Sequence, residues 1–216
     1  MKLHTILFGI ALAAAGASRA DPIAAETSTS PSKAPFTQIG MTLGIGGGVT
    51  NFTGSEMNSA VDVGGSWEVR STIGTRLFLA GELAYVGSRR NVNMPGVTTA
   101  NADKPHVFAH GIEGALRAQV PYVTGSWLIE PFAFGGLGWT HMGIDGIVPS
   151  GSALRTSDDV LVVPFGAGLS AIWNNIFIEG RFTYRATFNE DLLARADGTP
   201  AGMGNWGAGA LVGYEF

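Results

Sequence analysis

From Phe36 onward, apolar and polar positions alternate with a period of two, the signature of strands that present one face to an apolar environment. Eight segments carry it, at 37–49, 61–73, 77–87, 106–119, 126–141, 160–173, 176–188 and 205–216. Each has at least the ~9–11 residues a tilted strand needs to cross a bilayer. Their links alternate in length. Gly74-Thr75-Arg76, Val120 to Gly125 and Asn174-Asn175 are short, and Asn-Asn suits the positive φ of a type I′ hairpin. The links at 50–60, 88–105, 143–159 and 189–204 are longer and rich in Gly, Asn, Asp, Ser and Thr. Short turns on one side and long loops on the other are the habit of up-and-down membrane barrels, with both chain ends on the short-turn side.

The register sorts the side chains by chemistry. In the last strand Trp206, Ala208, Ala210, Val212, Tyr214 and Phe216 share one face, and Gly207, Gly209, Leu211, Gly213 and Glu215 the other. An eight-stranded lumen is just wide enough for ordinary side chains, so the face crowded with aromatics is expected outside. Extending this register puts Glu68, Arg70, Glu82, Glu113, Arg117, Glu130, Glu179, Arg181, Arg185 and Glu215 inside. Ile39, Met41, Leu43, Ile45, Trp67, Val69, Leu79, Leu83, Tyr85, Ile112, Leu116, Ile129, Leu137, Phe165 and Leu169 fall outside. Two aromatic girdles are expected, as amphipathic rings prefer the membrane interfaces. Trp127, Trp173, Tyr214 and Phe216 belong to the turn side; Tyr85, Phe108, Trp139, Phe188 and Trp206 belong to the loop side; Trp67 reads as a mid-strand exception.

Composition sharpens this picture. Gly contributes 32 of 216 residues, charged residues are only 14%, and Cys is absent, as suits an oxidising export route. The formal net charge of -4 supplies no basic patch, which argues against a nucleic-acid partner. Residues 1–20 read as a cleaved signal peptide: Lys2 and His4, an apolar run from Ile6 to Ala17, then Ser18-Arg19-Ala20. That run is short of the roughly 20 apolar residues of a spanning anchor. Residues 21–35 read as a flexible periplasmic leader and 36–216 as the barrel domain. Every later apolar run is broken by Gly or charge within about ten residues, so a membrane form must be a closed barrel.

Two stretches carry a family resemblance. The outward alternation of Ala208, Ala210, Val212, Tyr214 and terminal Phe216 resembles the signal read by the barrel assembly machinery. The strand Glu130-Pro131-Phe132-Ala133-Phe134-Gly135-Gly136-Leu137-Gly138 resembles that of small OmpA-like and OmpX-like barrels, the porin-family or opacity-type domain. The resemblance covers about 36–216 and implies an all-β, eight-stranded antiparallel up-and-down barrel in a Gram-negative outer membrane. It implies Val212, Tyr214 and Phe216 as assembly signal, and outer-membrane lipid, lipopolysaccharide and the assembly machinery as partners. No peptidoglycan-binding domain follows Phe216, so cell-wall anchoring is not expected.

The residues leave three function classes open. First comes a surface barrel acting through its loops in envelope integrity, adhesion or host interaction, with a surface ligand. A narrow, cation-leaning pore follows, since the inward set has six Glu and four Arg; its bland reading is a salt-bridge network filling the lumen. Third is a lipid-modifying enzyme, for which His141, Asp145, Ser152, Asp158 and Asp159 supply the residue types of a Ser–His–acid group at one rim, in no specific spacing. No catalytic residue, metal ligand or cofactor is assigned. Asp158-Asp159 and Glu190-Asp191 read as solvated loop charge, with a Ca²⁺ or Mg²⁺ bridge to lipopolysaccharide phosphates as the alternative. The glycines of Gly44 to Gly48 lack the following helix that dinucleotide binding needs.

Overall fold

The computed structural model describes residues 39–54, 58–59, 61–92, 105–145, 157–188 and 204–216. The proposed signal peptide and leader lie outside these residues. The described strands are β1 (Gly40–Phe52), β2 (Gly64–Thr75), β3 (Leu79–Asn91), β4 (His106–Gln119), β5 (Tyr122–Thr124), β6 (Trp127–Asp145), β7 (Ser157–Trp173), β8 (Ile176–Phe188) and β9 (Asn205–Glu215). Each pairs antiparallel with its neighbour, β4 pairs β6, and β1 pairs β9, so the sheet closes on itself. Eight strands form the wall. The three-residue β5 continues the line of β4 beyond Val120-Pro121, and both pair with β6. Closure removes every sheet edge, the condition for a β-structure in lipid.

The tight turns use the backbone their residues allow. Asn174 and Asn175 both have positive φ, 47° and 69°, as a type I′ hairpin requires. Gly74 at φ 100° and Arg76 at φ 75° turn β2 into β3. The Asn175 amide then ties the seam down: its Nδ2 donates to the Glu215 carbonyl at 2.7 Å, and the Glu215 N–H donates to the Asn175 carbonyl at 2.7 Å.

Several expected bounds shift. β2 starts at Gly64 rather than 61, and Val61 instead bridges Val92. With that start, Trp67 stands three residues from the loop end of β2, 5.2 Å from Tyr85 by ring centroids, so it belongs to the loop-side girdle. β3 runs four residues past the expected end, taking Ser88-Arg89-Arg90-Asn91 out of the loop, and β6 runs four past His141. These extensions support one another. Asn91 pairs His106 and His106 pairs Asp145, so three neighbouring strands lengthen together.

The outer wall is apolar. Leu83, Leu116 and Leu137 are each more than 60% exposed, where a water-soluble domain would bury them. Stacked rings mark both ends of this belt: Trp127 on Trp173 at 5.9 Å toward the turns, and Phe182 with Trp206 at 6.3 Å toward the loops. Ile129 is half-buried, facing Tyr122 of β5.

Candidate functional site

The lumen is where this wall concentrates charge. Strand alternation aims inward Arg70 and Glu68 from β2, Glu82 from β3, Glu113 and Arg117 from β4, and Glu130 from β6. Glu179, Arg181 and Arg185 enter from β8 and Glu215 from β9; all ten are buried or nearly so. The centre is a lattice of ion pairs. Arg117 Nη1 lies 2.6 Å from Glu179 and 3.4 Å from Glu82, and Nη2 lies 3.7 Å from Glu130. Arg70 reaches Glu68 at 2.7 Å and Glu179 at 3.3 Å. Arg181 donates to both oxygens of Glu82, at 3.0 and 3.1 Å, and its Nε sits 2.9 Å from Glu179 without hydrogen-bond alignment. Arg185 grips Glu113 with two donors. Buried charges are tolerated in such an arrangement because each has an opposite partner in contact.

Aromatic rings are part of the same layer. The Arg117 guanidinium lies 3.6 Å over Phe132, and Arg181 lies 4.2 Å over Phe134. Both rings point inward, although the faces crowded with aromatics are expected outside. Gly166 and Gly168 on β7 make the space: a Cβ on Gly168 would sit 2.5 Å from the Phe132 ring, and one on Gly166 would sit 3.0 Å from Phe134. Apolar side chains also plug the lumen near each end, with Leu128, Ile172, Phe177 and Leu211 toward the turns and Phe52, Val107, Met142 and Val160 toward the loops.

Two arginines join this set from outside the expected strands. Arg76, in the β2–β3 turn, lays Nη2 2.6 Å from Glu215, and its backbone N–H donates to Glu130 at 2.8 Å. Arg90, in the extension of β3, is buried and donates to Thr50 Oγ1 at 2.8 Å. Alternation would have found Arg90 had β3 been extended, because Ala84, Val86 and Ser88 share its parity. Among the described residues the lumen therefore holds six Glu and six Arg. The excess of Glu that suggested a cation-leaning path is absent.

The loop-end rim brings together part of the imagined hydrolytic group. His141 Nδ1 lies 2.8 Å from Asp159 Oδ1, Asp159 N–H donates to Asp158 at 2.9 Å, and His106 lies 3.7 Å from Asp145. Ser152, Glu190 and Asp191 lie outside the described residues. His141 also packs against His110, ring centroids 5.4 Å apart, on the outer face. Among the described residues no cluster of three or more His, Cys, Asp or Glu has metal-binding geometry. Val212, Tyr214 and Phe216 all face outward, with the Tyr214 and Phe216 rings edge-to-face at 5.2 Å.

No protein-family model matches the chain, and no curated protein does. Solved structures do. The crystal structure of neisserial surface protein A aligns over 82% of this chain and 97% of its own, with 11% identity and a TM-score of 0.50. Ail, the attachment invasion locus protein of Yersinia pestis, in complex with the heparin analogue sucrose octasulfate, aligns over 83% of this chain and 100% of its own, with 13% identity and a TM-score of 0.51. The fold is that of the small eight-stranded outer-membrane β-barrels, closed and antiparallel.

Proposed function

We propose that this chain is an exported, integral outer-membrane barrel whose working part is its loop-end surface, in envelope integrity, adhesion or host interaction. The filled lumen is the observation that carries the reading. Paired charges and inward phenylalanines occupy the space through which a solute would pass, while the outer wall offers lipid a continuous apolar belt. A barrel so built anchors and displays. Lipopolysaccharide is its expected lipid neighbour, the barrel assembly machinery its route in, and a surface ligand its partner. Ail, a barrel of this fold, forms a complex with a heparin analogue, which is consistent with display of a ligand-binding surface.

A narrow pore is the second reading, favoured by a cavity of about 60 Å³ on the loop side of the lattice. The test is planar-bilayer recording of refolded protein, together with binding of cells to host matrix before and after deletion of residues 93–104. Display predicts little or no conductance and binding that falls with the deletion. A stable, large conductance would overturn it in favour of the pore. A lipid A extract analysed alongside addresses the enzyme class, for which the His141–Asp159 and His106–Asp145 contacts are the supporting geometry among the described residues.

A further inference from the structure

One buried cation in the lumen has no carboxylate partner among the described residues. Arg90 is 2% exposed. Its Nη2 donates to Thr50 Oγ1, its guanidinium lies 4.3 Å over the Phe52 ring, and its Nε has no hydrogen-bond partner. The other five lumen arginines each hold a Glu oxygen within 3.3 Å at closest approach. A buried charge without an opposite partner is costly, and neutral contacts compensate only part of the lost hydration. The overall balance of six Glu and six Arg gives no local relief. Glu130 and Glu215 gather around Arg76 at the turn end, and Arg90 stands at the loop end of β3.

Beside Arg90 lies the cavity of about 60 Å³, and donors dominate its polar lining: Arg90, Arg185, Thr140, Thr183 and Asn205. Glu68 also lines it, but that carboxylate is engaged by Arg70 at 2.7 Å. We propose that this cavity is a binding site for a small monovalent anion of the chloride class, seated against the Arg90 guanidinium. Size sets the class: a cavity needs about 10–15 Å³ of such space per water, so this one admits roughly four to six water-sized bodies, room for a small ion and its waters rather than an organic solute. The bound anion supplies the charge Arg90 lacks and accepts from the surrounding hydroxyls and amide.

Two measurements on the whole barrel test this. Crystals of the unmutated protein grown in sodium bromide should show an anomalous peak in contact with the Arg90 guanidinium. The unfolding midpoint of refolded protein should rise with chloride relative to gluconate at equal ionic strength, since a ligand of the native state alone stabilises it by mass action. Arg90→Met should abolish that chloride response. A cavity without a bromide peak overturns the proposal. So do equal midpoints in the two salts, or an undiminished response in Arg90→Met. Should Arg90→Met fail to refold, the two measurements on unmutated protein decide between the same outcomes.

Discussion

Replacing Arg117 with Met removes a lumen cation that pairs with three glutamates while keeping much of its bulk. The residue is 1% exposed, touches Glu82, Glu130 and Glu179, and stacks on Phe132. Removing one partner of a buried pair costs about 3–5 kcal/mol, because the charge left behind is uncompensated. Here the remainder is shared: Glu179 keeps Arg70 at 3.3 Å and Arg181 at 2.9 Å, and Glu82 keeps Arg181 at 3.0 Å. That sharing places the cost at the lower end, about 3 kcal/mol, or more than a hundredfold in the folding equilibrium. The added change Glu179→Gln restores neutrality, so Arg117→Met/Glu179→Gln should recover a large part of the loss. Reversible urea unfolding in lipid vesicles, followed by tryptophan fluorescence and heat-modifiable gel mobility, measures Arg117→Met, Glu179→Gln alone and the double variant, and closes a double-mutant cycle. An Arg117→Met variant that loses under about 1 kcal/mol, or a double variant less stable than Arg117→Met, would refute the view that charge compensation holds the lumen together.

Topology is tested in whole cells. A cysteine placed within 93–104 should react with an impermeant maleimide, and Asn175→Cys should not; the reverse pattern inverts the barrel. Added trypsin should leave the Arg89–Arg90 bond intact, because both residues are in β3 rather than a loop. Deleting Phe216 removes a backbone bond to Met41 at 2.8 Å and the ring against Tyr214; barrel yield should fall and periplasmic aggregate rise, and normal heat-modifiable barrel would count against an assembly role. Leu83→Arg, on the lipid face between the girdles, should cost roughly 2–4 kcal/mol in the vesicle assay, whereas Thr183→Ser in the lumen should be nearly silent; equal effects would contradict the assignment of faces.

Much of this architecture is legible in the chain because lipid enforces a strict alternation. Strands His106–Gln119 and Ile176–Phe188 have the bounds the pattern predicts, and Asn174-Asn175 announces its own turn. What escaped the pattern had physical causes. Ser88-Arg89-Arg90-Asn91 has loop composition, but pairing with Val107 and His106 holds it in the sheet. Arg90 was lost with that segment, and Arg76 was lost because a turn residue is not expected to reach back into a lumen. Phe132 and Phe134 share the parity of inward Glu130, and their rings fit because the neighbouring strand carries Gly166 and Gly168, a complementarity between strands that no single strand displays.

The seam between the first and last strands has a consequence for how the wall shuts. β1 offers the lumen Gly44, Gly46 and Gly48 where it meets β9, and β9 answers with Gly207, Gly209 and Gly213. These are the two strands farthest apart in the chain, so their meeting bears the largest chain-closure entropy of any pair. Bare glycine on both sides lets the ribbons zip by backbone alone, with few inner side chains to thread past one another. Phe177 from β8 then lies over the joint, its ring occupying the space a Cβ would need at both Gly44 and Gly213. One phenylalanine thus serves as a latch, dropped across a hinge that was left smooth so that it could close.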